Sequence, residues 1–344
     1  DAPRPVDMAR ILADDAPARL STFGFFDGSA DRPSAQLIPY TLFTPLFSDY
    51  AEKRRYIALP AGQAMVVRGT GLVDFPVGTA LIKNFGYHQA DAPGGYRTLE
   101  TRLLLRRAGG WVALPYIWRA DGSDADLRIA GARMDVQFAD AAGRTRRISY
   151  AVPNRNQCKN CHELAGGVTP IGPKWRNLRL AQPAYRAAIR SWALRGVPVS
   201  AGAASAGAVG GGVGRGAAML PIWDDPASGP LANRARAYLD VNCAHCHNPA
   251  GSASNSGLFL EYERPAGLAT GIGKRPVAAG RGAGGREYAI VPGHAEQSIM
   301  TYRMGSTDPG VAMPELGRST VHDEGLALIS EWIAAMRDDD TSPD

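Results

Sequence analysis

The only four cysteines in this chain of 344 residues fall in two short strings, Cys158-Lys159-Asn160-Cys161-His162 and Cys243-Ala244-His245-Cys246-His247. Both read C-x-x-C-H. Two thiols three residues apart can reach the two vinyl groups of one porphyrin, and the histidine that follows is then held under the iron. The pattern is the attachment signature of a c-type haem. A zinc site made from both cysteine pairs would have to close across the long stretch from Cys161 to Cys243, outside the usual spacing of structural zinc. A thioredoxin-like dithiol belongs in a βαβ setting, which neither motif has. The expected cofactors are therefore two covalently bound haems c, attached through Cys158 and Cys161, and through Cys243 and Cys246. His162 and His247 are the expected proximal iron ligands.

The length suits two domains. Hydrophobic content of 45% and charged content of 21% are ordinary for a soluble globular protein, and 40 glycines with 25 prolines point to many turns and long loops. No apolar run approaches the ~18 residues of a membrane span, so no transmembrane segment is expected. The formal charge of +5 shrinks once cofactors are counted. Each haem with two ionised propionates adds about −1 when ferric and about −2 when ferrous. The arginines are scattered without interleaved aromatics, which excludes a nucleic-acid reading. The chain starts at Asp1 without methionine, as a mature protein does after signal-peptide removal. With covalent haem attachment, this implies export to the periplasm.

Along the chain, residues 1–35 read as an irregular surface arm with one short helix near Met8–Leu12. The aromatic, proline-punctuated run Pro39–Tyr50 reads as an ordered buried loop, most simply core packing. From Arg54 to Val152 the pattern is β. Leu99, Thr101, Leu103 and Leu105 alternate with mostly polar residues, and Ala108-Gly109-Gly110 turns the chain into Trp111–Trp118. A second hairpin pairs Arg133–Phe138 with Arg146–Val152. Further strands are expected over Tyr56–Leu59, Met65–Arg68 and Ala80–Phe85, and together they predict an antiparallel sandwich.

A helix is expected from Pro183 to Gly196, then a flexible Gly/Ala-rich linker over 198–219. The expected organisation is α+β in two domains. Residues 1–197 form a β-rich domain with the first haem, and 220–344 an all-α domain with the second. In the latter a helix over Leu231–Asn242 runs into Cys243. An amphipathic helix over His322–Met336 follows a Thr320-x-x-Asp323 capping pattern, with Leu326, Ile329, Trp332, Ile333 and Met336 inward.

For the second haem, Met313 in Ala312-Met313-Pro314 is the expected distal ligand, with Met300 and Met304 as rivals better explained by core packing. A thioether is soft, favours ferrous iron and raises its potential. His245 has no evident role in the motif and reads as a surface residue. For the first haem the distal ligand stays open among His88, Lys83 and Met134, while His294 and His322 qualify only if the two haems are close. Lys83 shares a strand face with Leu81 and Phe85, an odd place for an ammonium. Glu100 and Arg102 suit either propionate contact or an ordinary solvated strand face.

Several strings together resemble a family of two-haem c-type cytochromes of Gram-negative bacteria, one with no assigned reaction. They are Leu46-Phe47-Ser48-Asp49-Tyr50-Ala51-Glu52-Lys53, Phe75-Pro76-Val77-Gly78-Thr79, Glu100-Thr101-Arg102-Leu103-Leu104, Pro170-Ile171-Gly172-Pro173-Lys174, Arg236-Ala237-Tyr238-Leu239-Asp240 and Met313-Pro314-Glu315-Leu316-Gly317. The resemblance spans roughly residues 38 to 338, and its C-terminal part is similar to class I cytochrome c. It implies two haems and a periplasmic or surface location. The expected function is single-electron transfer between transient redox protein partners. The alternatives are a peroxidase- or oxidase-like haem enzyme acting at an open first haem, and a gas or redox sensor.

Overall fold

The computed structural model describes residues 5–63, 65–67, 71–89, 92–140, 143–179 and 219–337. The helix expected from Pro183 to Gly196 and, Met219 apart, the linker over 198–219 lie outside the described residues.

The N-terminal half is built on strands. In chain order they are β1 (Ile38–Leu42), β2 (Glu52–Ala58), β3 (Val66–Val67), β4 (Val73–Asp74), β5 (Ala80–His88), β6 (Tyr96–Arg107), β7 (Gly110–Trp118), β8 (Ala125–Leu127), β9 (Ala132–Ala139), β10 (Thr145–Val152), β11 (Glu163–Leu164), β12 (Gly167–Val168) and β13 (Leu178–Arg179). Seven of them form one antiparallel sheet in the order β13-β1-β2-β5-β6-β7-β8. The period-2 alternation gives the sheet two apolar faces. Tyr56, Ile82, Leu103 and Leu114 lie in register in one cross-strand row; Ile57, Leu81, Leu104 and Ala113 form the adjacent row on the opposite face.

The sandwich expected from the sequence is not formed. The β9–β10 hairpin is present but makes its own two-stranded sheet, with Val136, Phe138, Tyr150 and Val152 packed on Phe85, Tyr87 and Leu99 at one end of the large sheet. The first face is covered by the N-terminal arm instead of a second sheet. Helix α1 (Met8–Leu12) is capped by the Asp7 side chain, and Ile11, Leu20, Phe23 and Phe25 are fully buried against β2, β5, β6 and β7. The Arg107 guanidinium fastens the arm by donating to the carbonyls of Ile11, Asp14 and Asp15 at 3.1, 3.0 and 2.9 Å. The arm is core, not surface: its apolar residues are spaced without period, so neither helix nor strand patterning reveals them.

The all-α, cytochrome-like C-terminal domain is corrected as well. Beyond α2 (Arg155–His162), which carries the first motif, the α-helices among the described residues are α3 (Leu231–Asn242), α4 (Ile299–Met304) and α5 (Asp323–Ala334), of 12, 6 and 12 residues. Between α3 and α4 the chain runs through turns, coil and four 3-10 helices of three or four residues, tied by isolated parallel bridges, Ile272 to Ile290 and Tyr288 to Ser298. Glycines and prolines recur too often there for a helix to propagate. Helices α3 and α5 pack through Tyr238, Leu239, Leu328, Ile329, Trp332 and Ile333, with Leu326 only half-buried. Gly325 permits the approach, since a Cβ there would lie 2.3 Å from the Tyr238 hydroxyl. No helix among the described residues is long and apolar enough to cross a membrane.

The run Pro39–Tyr50 begins as β1 and ends as the seam between the halves. Thr44 Oγ1 donates to the Pro221 carbonyl at 2.8 Å, and the Phe47 amide donates to Asn242 Oδ1 at 2.8 Å. Buried Asp49 accepts from the Ser319 amide at 2.7 Å and the Thr320 amide at 2.9 Å. The expected cap by Thr320 is therefore absent: its segment is drawn to Asp49, and His322 precedes α5 without a side-chain cap. Asp49 and Tyr50 take left-handed φ of 48° and 61°, sparsely used by residues other than glycine, to make these contacts.

Candidate functional site: two adjoining cavities

Helix α2 is fixed at its start by reciprocal capping. The Gln157 amide donates to Asn154 Oδ1 at 2.8 Å, and the Asn154 amide donates to Gln157 Oε1 at 2.9 Å. The chain then reverses between β11 and β12 through Ala165 and Gly166, at φ 49° and 80°. That reversal returns Thr169 to His162. The Thr169 amide donates to the His162 carbonyl at 2.6 Å, and His162 Nδ1 lies 2.9 Å from the Thr169 carbonyl. A carbonyl only accepts, so Nδ1 carries the proton and Nε2 keeps its lone pair. Burial lowers the His162 pKa to about 4, leaving the ring neutral as an iron ligand requires.

The second motif follows α3 directly. The Cys243 amide caps back to the Leu239 carbonyl at 2.9 Å, and the His247 amide donates to the Cys243 carbonyl at 2.9 Å. His247 Nδ1 lies 3.3 Å from both the Leu258 carbonyl and Ser256 Oγ, the same arrangement as at His162. Burial lowers the His247 pKa too. Burial pushes the thiols the other way, Cys161 to about 11 and Cys243 to about 12. These are protonated thiols at neutral pH, the reverse of an activated dithiol.

Each motif opens into a cavity. The first holds about 1680 Å³ of atom-free space, part of it open to solvent, walled by Cys158, Cys161 and His162 from one half and by Cys243, His245 and Met313 from the other. The second, of about 960 Å³, has Cys243, His247, Leu258, Leu260 and Met313 in its walls. Cys243, Met304 and Met313 belong to both, so the cavities adjoin. The loops after the motifs are joined directly, the Ala165 amide donating to the Ala250 carbonyl at 3.1 Å.

One wall of the first cavity is cationic. Arg55, Lys83 and Arg102 stand directly opposite one another on β2, β5 and β6. Like charges in register repel. Glu100, fully buried, offsets part of this: it accepts from Arg102 Nε at 2.9 Å and from the Tyr150 hydroxyl at 2.5 Å. It is no solvated strand face. Burial alone would lower Arg102, but Glu100 raises it. Burial, then Arg55, Lys53 and Arg102, hold Lys83 well below the usual lysine range. Among the described residues no carboxylate forms a salt bridge with Lys83; its Nζ stands 5.1 Å from the Phe85 ring centre.

Of the three candidates for the far side of the first iron, only Lys83 lines this cavity. His88 is exposed and lies 3.0 Å from Glu52, and Met134 packs half-buried against the Val136–Phe138 cluster. His294 is exposed beside Glu296. His245 is not a surface residue. Its ring is half-buried, lines the first cavity and has an Nδ1 that makes no hydrogen bond of good geometry among the described residues. Sequence spacing carries no signal for this, because it depends on which way a residue inside the motif turns once α3 has packed on the first half.

For the second cavity Met313, Met304 and Met300 all line the wall. Met313 is held on both sides: its amide donates to the Arg303 carbonyl at 3.0 Å, and its carbonyl accepts from Arg318 Nη2 at 3.0 Å. Arg318 also donates to the Ser306 and Thr320 carbonyls at 2.8 and 3.1 Å, clamping the loop. Arg318→Ala releases these bonds. It is expected to lower the melting temperature by loosening the loop that carries Met313; an unchanged melting temperature means the loop is held without the clamp.

His322 lines the first cavity, but it is engaged elsewhere. It stacks on Phe47 at 4.1 Å between ring centres, and its Nδ1 meets the Tyr238 hydroxyl at 2.9 Å. Burial lowers its pKa to about 4, against about 6.5 unfolded. The unfolded chain then takes the proton first, so this contribution to stability is complete above about pH 6.5 and is lost as pH falls toward about 4. Urea titrations should show His322→Phe with a shallower loss of stability across that window than the parent. Parallel curves would contradict the assignment.

The expectation of a metal-binding chain is corrected in one respect. Among the described residues no three or more His, Cys, Asp or Glu side chains converge to hold a metal ion. The side chains present build no bare-ion chelate there; iron presented by a porphyrin needs only one or two protein ligands. The residues fit such a group: two thiols, a tautomer-fixed imidazole, an apolar cavity, and on the first cavity's wall a cationic row suited to propionates. No family model, curated protein or solved structure matches this chain.

Proposed function

We propose that the chain carries two covalently attached haems c and passes single electrons between transient redox partners on the exported side of the cell. The observation that supports this most is the pair of C-x-x-C-H motifs opening into adjoining cavities with Cys243, Met304 and Met313 in both walls. The similarity of six strings to two-haem proteins supports the same reading. When bound, each haem supplies a one-electron iron couple. Cys158 and Cys161 would hold one and Cys243 and Cys246 the other. Arg55, Lys83 and Arg102 would pair with the propionates of the first, as guanidinium and ammonium groups do with carboxylates.

The chain's own work is positional. Thr169 and Leu258 carbonyls would hold the proton on Nδ1 of His162 and His247, leaving Nε2 as the donor nitrogen. The Arg318 clamp sets the Met313 thioether, a soft donor that favours the reduced state. Ligands held this firmly change little between oxidation states, which suits electron transfer. A reductive titration tests the proposal: two separate one-electron couples are expected, with no change on adding carbon monoxide. Turnover of a peroxide substrate at one centre would favour the enzyme reading instead.

A further inference from the structure

The first cavity receives side chains from both halves of the molecule, and one of them comes from inside the other motif. Position 245 lies within the second motif, between Cys243, which lines both cavities, and Cys246. Its ring joins the wall that contains Cys158, Cys161 and His162. His245 Nδ1 is buried and makes no hydrogen bond of good geometry among the described residues, although the Val241 carbonyl lies near the ring. A buried imidazole is costly to leave unsatisfied, so such a group normally has a ligand or partner.

The other nitrogen donors on this wall are placed differently. Lys83 stands in the cationic row between Arg55 and Arg102, where a carboxylate is the partner that chemistry calls for. His322 is enclosed by Phe47, Tyr50, Trp223 and Tyr238 and already bonded through Nδ1. His245 combines a neutral imidazole, a donor that suits iron, with no side-chain partner and a place on the cavity shared with His162.

We infer that His245 is the distal ligand of the first haem, opposite His162. This rests on the two-haem reading above. It makes the string Cys243–His247 serve both cofactors, through His245 for the first and through Cys243, Cys246 and His247 for the second. Adjacent residues of one backbone would then link the two irons. It also closes the far side of the first iron, which removes the open position that an enzyme or gas sensor needs.

The test uses the full chain matured with haem, compared with His245→Ala, His245→Met and Lys83→Ala. Haem content by pyridine haemochromogen is measured first. A parent chain without covalent haem overturns the underlying reading, separately from the ligand assignment. With two haems present, the parent should be fully low-spin by electron paramagnetic resonance and inert to carbon monoxide. His245→Ala should convert one of its two haems to a high-spin, carbon monoxide-binding form, while Lys83→Ala should leave both low-spin. His245→Met should stay low-spin and add a second thioether-to-iron charge-transfer band. If His245→Ala remains wholly low-spin, or Lys83→Ala opens the iron, the assignment is overturned. Should His245→Ala lose a haem or fail to fold, the His245→Met band decides: its appearance supports the assignment and its absence overturns it.

Discussion

Glu100→Gln is expected to destabilise the haem-free chain by about 3–5 kcal/mol, the cost of removing one partner from a buried ion pair. Glu100 is fully buried and takes hydrogen bonds from both Arg102 and Tyr150. Its charge is the local counterweight to Arg55, Lys83 and Arg102, which lie in register on three neighbouring strands. With glutamine there, those cations face one another in a low-dielectric wall. The cofactor's propionates would offset part of that repulsion, so the loss should be smaller in the haem-loaded protein. Urea unfolding of both forms checks this. Equal losses with and without cofactor would mean that the cationic row does not face an anion.

Asp240→Ala is expected to cost a similar ~3–5 kcal/mol, for a different reason. The side chain is fully buried on α3, three residues before Cys243. It accepts from Lys174 Nζ at 2.8 Å, Arg176 Nη2 at 2.8 Å and the Tyr262 amide at 3.1 Å. Lys174 and Arg176 precede β13, the edge strand of the large sheet, so this one carboxylate ties the sheet to the helix that presents the second motif. Asp240→Asn keeps an acceptor for the Tyr262 amide and should lose less. Thermal unfolding orders the three chains; no loss in Asp240→Ala would place the seam's strength in Asp49 and the Thr44 contacts instead.

Features set by local rules were legible in the sequence. The C-x-x-C-H strings stood out because their chemistry demands fixed spacing, and the helix over Leu231–Asn242 and both hairpins follow from apolar period and turn residues. Features set by tertiary register were not. The row Arg55–Lys83–Arg102 exists only once β2, β5 and β6 have paired, since the three positions are far apart in the chain. The N-terminal arm hides Ile11, Leu20, Phe23 and Phe25 among prolines and aspartates with no period to mark them as core. Thr320 carries a good capping pattern that Asp49, some 270 positions away, overrides by taking its backbone amide. His245 differs again. The motif explains its neighbours so fully that the residue between them drew no role, and only the packing of α3 against the first half turns its ring into the other cavity.

The most direct measurement is the intact mass of the chain produced in a bacterium competent for c-type haem attachment and purified from its periplasm. The mass of the polypeptide plus two haems is expected. The Cys158→Ala/Cys161→Ala chain should lose one of them and the Cys243→Ala/Cys246→Ala chain the other. The bare polypeptide mass, obtained from cells that attach haem normally to a control protein, would contradict the two-haem account outright.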